Sequence, residues 1–366
     1  MYNKTLLTTL LLLLQLAPIM AQGTIKMVVG TYTNGTSRGV YSFDFDQDHG
    51  TAHALDTLDV SNPSFLTISQ NGTRIYAVSE NNDSTAAVNA IRFDNKTGRM
   101  SLINSQPTHG EDPCHVSTNG RILLTANYSG GSLSVFPLDK DGALLPMSQQ
   151  LRGTTAASDM PQQATAHIHY ALFTPDGRDV VATDFSANRL IRMSLEKATR
   201  LSSPTTAAIL PKNSGCRHFV WSKDRRFCYV ISEISGAVTV LRNTSGAMPI
   251  LQQIQSDSVG GHGSADIHLS PNGRFLYTSN RLVDDGISIF AVEGETGRLT
   301  KIGYQPTGIH PRNFNITPNG RFLLCACRDS NVIQVFSIDQ TSGLLHDTHQ
   351  DIRMDRPVCI QFYQGR

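Results

Sequence analysis

Short apolar strands alternate with polar turns along most of the chain, and this pattern repeats. Six segments begin with Asn or Asp followed by Gly, or in one case by Arg, and continue into an apolar strand. They start at Asn71, Asn119, Asp176, Asp224, Asn272 and Asn319. The starts are 48, 57, 48, 48 and 47 residues apart. A period of this length, with short strands and tight turns, is typical of a β-propeller in which each repeat forms one blade.

Each repeat contains the strands that a four-stranded blade needs. One apolar strand precedes the turn, a second follows it, and a third recurs as SLSVFPL, GISIFAV and VIQVFSI. A weaker fourth strand follows a Gly-containing turn, as in KTGRMSLI and ETGRLTKI. We expect each Asn-Gly pair to supply the positive φ angles of a tight hairpin. The repeats therefore predict antiparallel blades of four strands.

The two ends of the chain together supply a seventh blade. The segment PVCIQFY, from Pro357, matches the strand before the turn, and the segments that start at Ile25 and Gly39 match the next two strands. Pairing the first and last strands removes the edges that an open array of sheets would expose. We predict an all-β, seven-bladed propeller over residues 22–366, a single domain with one blade closed by both termini. The longest repeat interval holds a polar insertion at 152–166.

The first 21 residues have the pattern of a signal peptide. Lys4 supplies a positive charge, residues 6–16 are mostly apolar, and residues 17–21 form a plausible cleavage region. Polar side chains interrupt the apolar stretch, which is too short to span a bilayer comfortably. We expect cleavage near Gln22 and a soluble mature chain, without membrane attachment, in the periplasm or outside the cell.

Charge and cysteine content argue against several classes of partner. The chain has 31 Lys and Arg against 30 Asp and Glu, so its net charge of +1 predicts no basic surface for nucleic acid. The six cysteines lack the paired ligand spacing of a zinc site. Some could pair in an oxidising compartment, but burial as small apolar side chains is the simpler interpretation. We predict no metal and no cofactor.

Polar side chains are predicted to converge at one mouth of the central channel. In a blade, the start of the inner strand and the end of the second strand lie on the same face. The inner strands begin near Ser64, Cys114-His115, His169, Arg217-His218, Ala265-Asp266 and Arg312. The second strands end near Glu80, Asn127, Asp184, Glu233, Asn280-Arg281 and Arg328. Because unpaired charges would be costly to desolvate there, this mixture indicates an anionic ligand and groups that move protons.

With these motifs the chain resembles the seven-bladed propeller lactonase family, which includes the bacterial propeller-type 6-phosphogluconolactonase and the fungal carboxy-cis,cis-muconate cyclase. The matching segments are VGTYTNGTSRGVYSFDFD at 29–46, NPSFL from 62, DPCHV from 112, ANYSGGSLSVFPLDKDG from 126, AHIH from 166, CRHFVW from 216, SADIHLSPNGRFLYTSNR from 264 and HPRNF from 310. The resemblance covers nearly the whole mature chain. In the cyclase branch the proposed active-site groups are a His, a Glu and two Arg, which fall by motif on His169, Glu233, Arg217 and Arg281.

The resemblance implies hydrolysis of a sugar lactone, as in a 6-phosphogluconolactonase. Ring opening needs a base for the attacking water, and either His169 or Glu233 could serve. We favour His169, with Glu233 orienting it or the water, since imidazole has a reference pKa near 6.5. Arg217 and Arg281 would bind the anionic group or the oxyanion. The remaining predicted substrate contacts are His115, Asn127, Asp184 and Arg312.

Three alternatives stay open at this point. Phosphorylated sugars are made inside the cell, so an exported enzyme is expected to open an unphosphorylated aldonolactone or another lactone. The same groups would also serve the reverse, lactonising reaction of the cyclase branch. A non-catalytic propeller that binds a sugar or a protein is the third, because fold does not fix function. We expect a small-molecule lactone as partner and a monomeric protein.

Overall fold

Seven antiparallel sheets form a ring, and each sheet is one blade. The computed structural model describes residues 23–197 and 199–363, so the predicted signal peptide lies outside the described residues. Blade 1 begins with β1 (Thr24–Thr31), β2 (Gly39–Asp46) and β3 (Thr51–Asp59). Blade 2 contains β4 (Leu66–Ile68), β5 (Arg74–Ser79), β6 (Ala87–Phe93) and β7 (Met100–Pro107). Blade 3 contains β8 (Pro113–Thr118), β9 (Ile122–Asn127), β10 (Ser132–Pro137) and β11 (Gln149–Arg152).

The remaining blades follow in the same order, and two of them have a divided outer strand. Blade 4 contains β12 (Ile168–Phe173), β13 (Asp179–Asp184), β14 (Arg189–Glu196), β15 (Arg200–Leu201) and β16 (Thr205–Ile209). Blade 5 contains β17 (Cys216–Trp221), β18 (Phe227–Ser232), β19 (Ala237–Arg242) and β20 (Ile250–Gln255). Blade 6 contains β21 (Ile267–Leu269), β22 (Phe275–Asn280), β23 (Gly286–Val292) and β24 (Leu299–Pro306). Blade 7 contains β25 (Pro311–Ile316), β26 (Phe322–Cys327), β27 (Val332–Ile338), β28 (Leu345–Asp347) and β29 (Ile352–Arg353).

The last strand, β30 (Pro357–Tyr363), completes blade 1 as its innermost strand. It pairs antiparallel with β1, from Lys26 opposite Tyr363 to Gly30 opposite Cys359. The predicted seven-bladed ring, closed by both termini, is therefore confirmed. The innermost strands of the blades are β30, β4, β8, β12, β17, β21 and β25.

The apolar core is divided into seven clusters, one between each pair of neighbouring blades. Between blades 7 and 1, for example, Leu324 and Val335 pack with Met27, Val29 and Phe45, all fully buried. This arrangement follows from strands that are apolar on both faces, since each blade packs against a neighbour on both sides. Burial of one such side chain contributes roughly 1.5–3 kcal/mol relative to its exposure.

The turns between the first and second strands differ from the expected hairpins. Only the residue after Asn or Asp has a positive φ, for example 65° at Gly72. The preceding Asn71 instead uses its side chain, whose Oδ1 accepts the backbone N–H of Thr73 at 3.2 Å. The Gly72 N–H bonds to the carbonyl of Ser69 at 2.8 Å. The prediction of two positive φ angles per turn was wrong, because Asn fixes this turn through a side-chain hydrogen bond.

The polar insertion after β11 contains one short 3-10 helix, Pro161–Gln163.

All six cysteines are buried, and none forms a disulfide. Even the sulfur atoms of Cys325 and Cys327 are 3.8 Å apart. Their interpretation as small buried side chains is confirmed.

No helix within residues 23–197 and 199–363 has the length and apolar character needed to cross a membrane.

Candidate functional site

A backbone irregularity recurs where the innermost strands begin. In β12 the pairing with β13 shifts by one residue at His169, and in β17 and β25 the same shift occurs at Arg217 and Arg312. A β-bulge of this kind places two residues opposite one and re-aims a side chain. In β8 the shift falls at Cys114, one residue before His115. Three predicted site residues thus lie at the same bulge position of their innermost strands. In β8 the residue at this position is Cys114 and not His115.

Glu233 joins two of the predicted arginines. It follows β18 directly, and its Oε2 lies 2.6 Å from Arg217 Nε and 3.2 Å from Arg281 Nη2. Burial alone would raise the pKa of Glu233, but the charges of Arg281, Arg217 and Arg312 outweigh burial and hold it below its ordinary value. Glu233 is therefore an ionised carboxylate at neutral pH.

Both guanidinium groups are also fixed by backbone carbonyls. Arg217 Nη1 donates to the carbonyl of Ala265 at 2.5 Å, and Arg281 Nε donates to that of Gly263 at 2.7 Å. Burial lowers the pKa of Arg281 to about 9 despite the opposing effect of Glu233, so the group stays charged at neutral pH. Among the described residues, no hydrogen-bond partner occupies Arg217 Nη2, which leaves this donor for a ligand.

His169 lies beside this ion pair network as a neutral imidazole. Its ring centroid is 5.6 Å from that of Tyr128 and 5.1 Å from that of His218. The residue is 4% exposed, and its Nδ1 has no hydrogen-bond partner among the described residues. Burial, followed by the charge of Arg217, holds the pKa of His169 well below its ordinary value. A buried nitrogen that is free to accept a proton is what a general base requires.

Arg312 forms the opposite side of the cluster. Its Nη2 lies 3.2 Å from Glu80 Oε1, which also accepts the hydroxyl of Tyr32 at 3.0 Å. The Arg312 guanidinium lies over the Tyr32 ring, 5.5 Å from its centroid. Burial would lower the pKa of Arg312, but nearby Tyr32, Glu80 and Glu233 raise it above its ordinary value. Blades 1, 2 and 7 are linked through these three side chains.

Three predicted substrate contacts lie elsewhere. Asp184 is fully buried at the edge of blade 4, where it binds Arg189 Nε at 3.0 Å and the Thr154 hydroxyl at 2.9 Å. Asn127 is fully buried inside blade 3, where its Nδ2 donates to Ser132 and Ser134. The structure does not bring these two side chains into the cluster, because their strands turn them towards the third strand of their own blade.

His115 belongs to a layer below the cluster rather than to the cluster itself. Its ring packs 3.9 Å from that of Tyr170 and 4.5 Å from that of Phe65, measured between centroids. The strand pairing places His115, Tyr170 and His218 at matching positions of three innermost strands. This layer lines the channel beneath the mouth.

Sequence reasoning missed three side chains of the mouth, Tyr32, Tyr128 and His310. Tyr128 follows β9 and stacks on His167 with centroids 4.0 Å apart, and burial together with the charge of Glu233 raises the pKa of its hydroxyl. His310 Nε2 lies 3.1 Å from Arg281 Nη1. His310 stands two residues before Arg312 in the HPRNF segment, and this proximity was the available signal.

Within residues 23–197 and 199–363, no three His, Cys, Asp or Glu side chains are grouped so that they could hold a metal ion. The cluster described above consists of guanidinium, carboxylate and imidazole groups. Such a set can bind an anion, stabilise a developing negative charge and transfer a proton.

Comparison with known proteins places this architecture in a family. The family profile described as lactonase, 7-bladed beta-propeller, matches residues 26–362. A 6-phosphogluconolactonase of Formosa agariphila is 34% identical over 351 residues, covering 92% of this chain and 99% of its own. A solved structure of a candidate 6-phosphogluconolactonase from Bacteroides uniformis is 52% identical, with a TM-score of 0.92 and coverage of 93% and 100%. The periplasmic gluconolactonase of Pseudomonas aeruginosa is 32% identical, with a TM-score of 0.87 and coverage of 94% and 100%. The chain therefore belongs to the seven-bladed β-propeller lactonase family.

Proposed function

We propose that the chain hydrolyses an unphosphorylated sugar lactone in the mouth of its channel, with His169 as the general base. The observation that carries the proposal is the unpartnered Nδ1 of buried His169 beside two arginines that share Glu233. The names of the relatives, 6-phosphogluconolactonase and gluconolactonase, support lactone hydrolysis as the class of reaction.

In the proposed mechanism, water attacks the lactone carbonyl carbon while His169 takes one of its protons. The new C–O bond converts the carbonyl oxygen into an oxyanion, which Arg217 Nη2 and Arg281 stabilise by charge and hydrogen bonding. The tetrahedral intermediate then breaks the ring C–O bond, and the imidazolium returns its proton to the departing alkoxide. The product is an open-chain hydroxy acid, which ionises to its carboxylate, and His169 is neutral again.

From the sequence, Glu233 was one of two candidates for the general base, but the structure supports a different role for it. Glu233 Oε2 is already engaged by Arg217 Nε and Arg281 Nη2, whereas His169 Nδ1 has no hydrogen-bond partner among the described residues. We assign proton transfer to His169 and keep Glu233 as the group that fixes both arginines. Arg312 remains a proposed contact for substrate hydroxyls.

The preference for an unphosphorylated substrate rests on the pairing of charges. Arg217 and Arg281 face Glu233, Arg312 faces Glu80, and Arg328 faces Asp329. The three carboxylates leave the four arginines a net charge of only +1 with which to hold a phosphate dianion, whereas a neutral lactone adds a single negative charge only in the transition state. The proposed enzyme therefore favours the neutral ring.

Acid release from δ-gluconolactone, 6-phosphogluconolactone and a muconolactone would test the proposal, after subtraction of spontaneous hydrolysis. We expect the largest kcat/KM for δ-gluconolactone and a loss of about 100-fold or more in His169→Ala and in Arg217→Ala. Matched controls are His346→Ala and Arg38→Ala, whose side chains lie exposed and outside the cluster. Absence of any rate above background would favour a binding protein. Formation of the muconolactone from its open-chain acid would favour the lactonising reaction.

We also propose that residues 1–21 are a cleaved signal peptide and that residues 22–366 act as a monomer outside the cytoplasm. The periplasmic gluconolactonase of Pseudomonas aeruginosa, similar over 94% of this chain, supports that location. The mass of the exported protein, together with its elution volume in size-exclusion chromatography, would test both points. A mature chain that retains residues 1–21 would contradict cleavage.

A further inference from the structure

Each arginine that holds Glu233 also reaches a histidine. Arg217 Nη1 lies 3.4 Å from His218 Nε2, and Arg281 Nη1 lies 3.1 Å from His310 Nε2. A guanidinium group has only donors, so a neutral histidine that accepts from arginine through Nε2 carries its ring proton on Nδ1.

The two histidines differ in what their Nδ1 atoms face. His218 Nδ1 lies 2.8 Å from Asp266 Oδ1, whereas His310 Nδ1 lies 3.2 Å from the guanidinium Nη2 of Arg328 and 3.6 Å from Asp329 Oδ2. An aspartate that accepts the Nδ1 proton fixes the tautomer whose Nε2 can accept from arginine. The order of groups from aspartate through imidazole to guanidinium therefore occurs at His218.

Asp266 is the more firmly fixed of the two aspartates. Its side chain is 4% exposed, and it also accepts hydrogen bonds from the Ile267 backbone N–H at 3.0 Å, His268 Nε2 at 3.0 Å and Asn313 Nδ2 at 2.5 Å. Burial would raise the pKa of Asp266, but His268 and His218 hold it far below its ordinary value. The carboxylate is therefore ionised and has little freedom to turn.

The surroundings keep both histidines neutral, as an acceptor role requires. Burial and the charge of Arg217 lower the pKa of His218 to about 4, although Asp266 opposes them. Burial, Arg281 and Arg328 lower the pKa of His310 to about 2. Both rings are therefore neutral at neutral pH.

We propose that His218 is a positioning residue, which holds the guanidinium group of Arg217 through Nε2 while Asp266 fixes its tautomer. The inference rests on the proposed function of Arg217 at the oxyanion. A pre-oriented donor needs no reorganisation as charge develops, so this support acts on the transition state more than on substrate binding. His218 is not proposed to contact the reacting atoms.

A double-mutant cycle on the full-length mature chain tests the inference. His218→Phe keeps a ring of similar size but removes both nitrogens. We expect kcat/KM for δ-gluconolactone to fall about 10- to 100-fold, mainly through kcat, and His218→Phe to add less than about twofold in an Arg217→Ala background. His346→Phe is the control for the substitution itself, because His346 is exposed and lies outside the cluster, and its loss should stay within about threefold. Equal fold losses in both backgrounds would overturn the inference.

Nitrogen NMR of histidine-labelled protein tests the same inference without turnover. The signals of His218 are identified by their loss in His218→Phe. At pH 7 we expect a neutral ring with its proton on Nδ1, and an Nε2 resonance that shifts in Arg217→Ala because an accepted hydrogen bond is lost. An imidazolium, a proton on Nε2 or an unchanged Nε2 resonance would overturn the inference. If the tautomer is as expected but no lactone is hydrolysed, the proposed function fails while the positioning of Arg217 stands.

Discussion

At the scale of single residues, Glu233 places one carboxylate oxygen between two guanidinium groups. Glu233→Gln keeps the shape of the side chain but removes the charge that compensates Arg217 and Arg281. Removing one partner of a buried pair costs roughly 3–5 kcal/mol, and the partial exposure of Glu233 places the expected loss near the lower end. We predict a decrease of about 3 kcal/mol in the free energy of unfolding, measured by urea denaturation.

The matched control for this substitution is Glu295→Gln. The Glu295 side chain is 92% exposed, and its contact with Arg226 spans 3.7 Å at the surface. Exposed pairs of this kind contribute roughly 0–1 kcal/mol, so its denaturation midpoint should barely move. Equal midpoints for both variants would show that Glu233 does not compensate the two arginines.

The protonation state of His169 gives a second prediction. Because burial and Arg217 hold its pKa well below 6.5, the imidazole stays unprotonated as the pH falls through that value. A base in this state keeps its full activity, so the catalysed part of kcat/KM should be constant between about pH 6 and pH 8. Initial rates of acid release, corrected for spontaneous hydrolysis, measure this profile. A half-maximal rate near pH 6.5 would indicate an ordinary, solvent-exposed base.

Among the single residues of the candidate site, the sequence predicted some correctly and others not. Spacing from the turn identified His169, Arg217, Glu233, Arg281 and Arg312, all of which the structure brings together. Asn127 and Asp184 stand eight residues after their turn residues, one fewer than Glu233 and Arg281, and point into their blades. Successive side chains of a strand point to opposite faces, so this difference of one residue decides the direction.

At the scale of elements, the segment after β11 is tied to blade 4 by the carboxylate of Asp184. The backbone N–H and the hydroxyl of Thr154 both bind it, and Arg189 binds the same group. Asp184→Ala should therefore free residues 153–160 while leaving the mouth intact. We predict faster proteolytic cleavage within this segment, at least several-fold, and a KM for δ-gluconolactone that stays within about twofold.

This result would separate two roles for Asp184. A substrate contact would raise KM without changing the cleavage pattern, whereas an anchor changes the pattern and leaves KM alone. Asp141→Ala is a suitable control, because Asp141 is an exposed acidic residue in another loop.

At the scale of the whole molecule, ring closure depends on β30. This strand is the innermost one of blade 1, and its Cys359 and Ile360 are fully buried. A chain that ends at Arg356 would lose it, which would leave the edge of β1 unpaired and uncover apolar side chains of both neighbouring blades. We predict that this chain shows no cooperative thermal unfolding and aggregates, whereas a chain that ends at Tyr363 unfolds cooperatively. A cooperative transition in the shorter chain would contradict closure by β30.

The whole fold was more predictable than the details of its blades. The repeat period and the match between the two ends determined the number of blades and the closure, because both depend on patterns spread over hundreds of residues. The divided outer strands of blades 4 and 7 were not predicted. Outer strands face solvent on one edge, so few apolar positions mark them, and irregular pairing there leaves no clear periodicity.

Every blade supplies a side chain to the mouth, from Tyr32 in blade 1 and Glu80 in blade 2 to Arg312 in blade 7. The Tyr32–Glu80–Arg312 contacts join the first blade to the second and the seventh. A polypeptide that stops before blade 7 therefore lacks both Arg312 and the strand that closes the ring. We expect such interrupted chains to be left to proteolysis, so that the complete cluster forms only on a chain synthesised almost to its end.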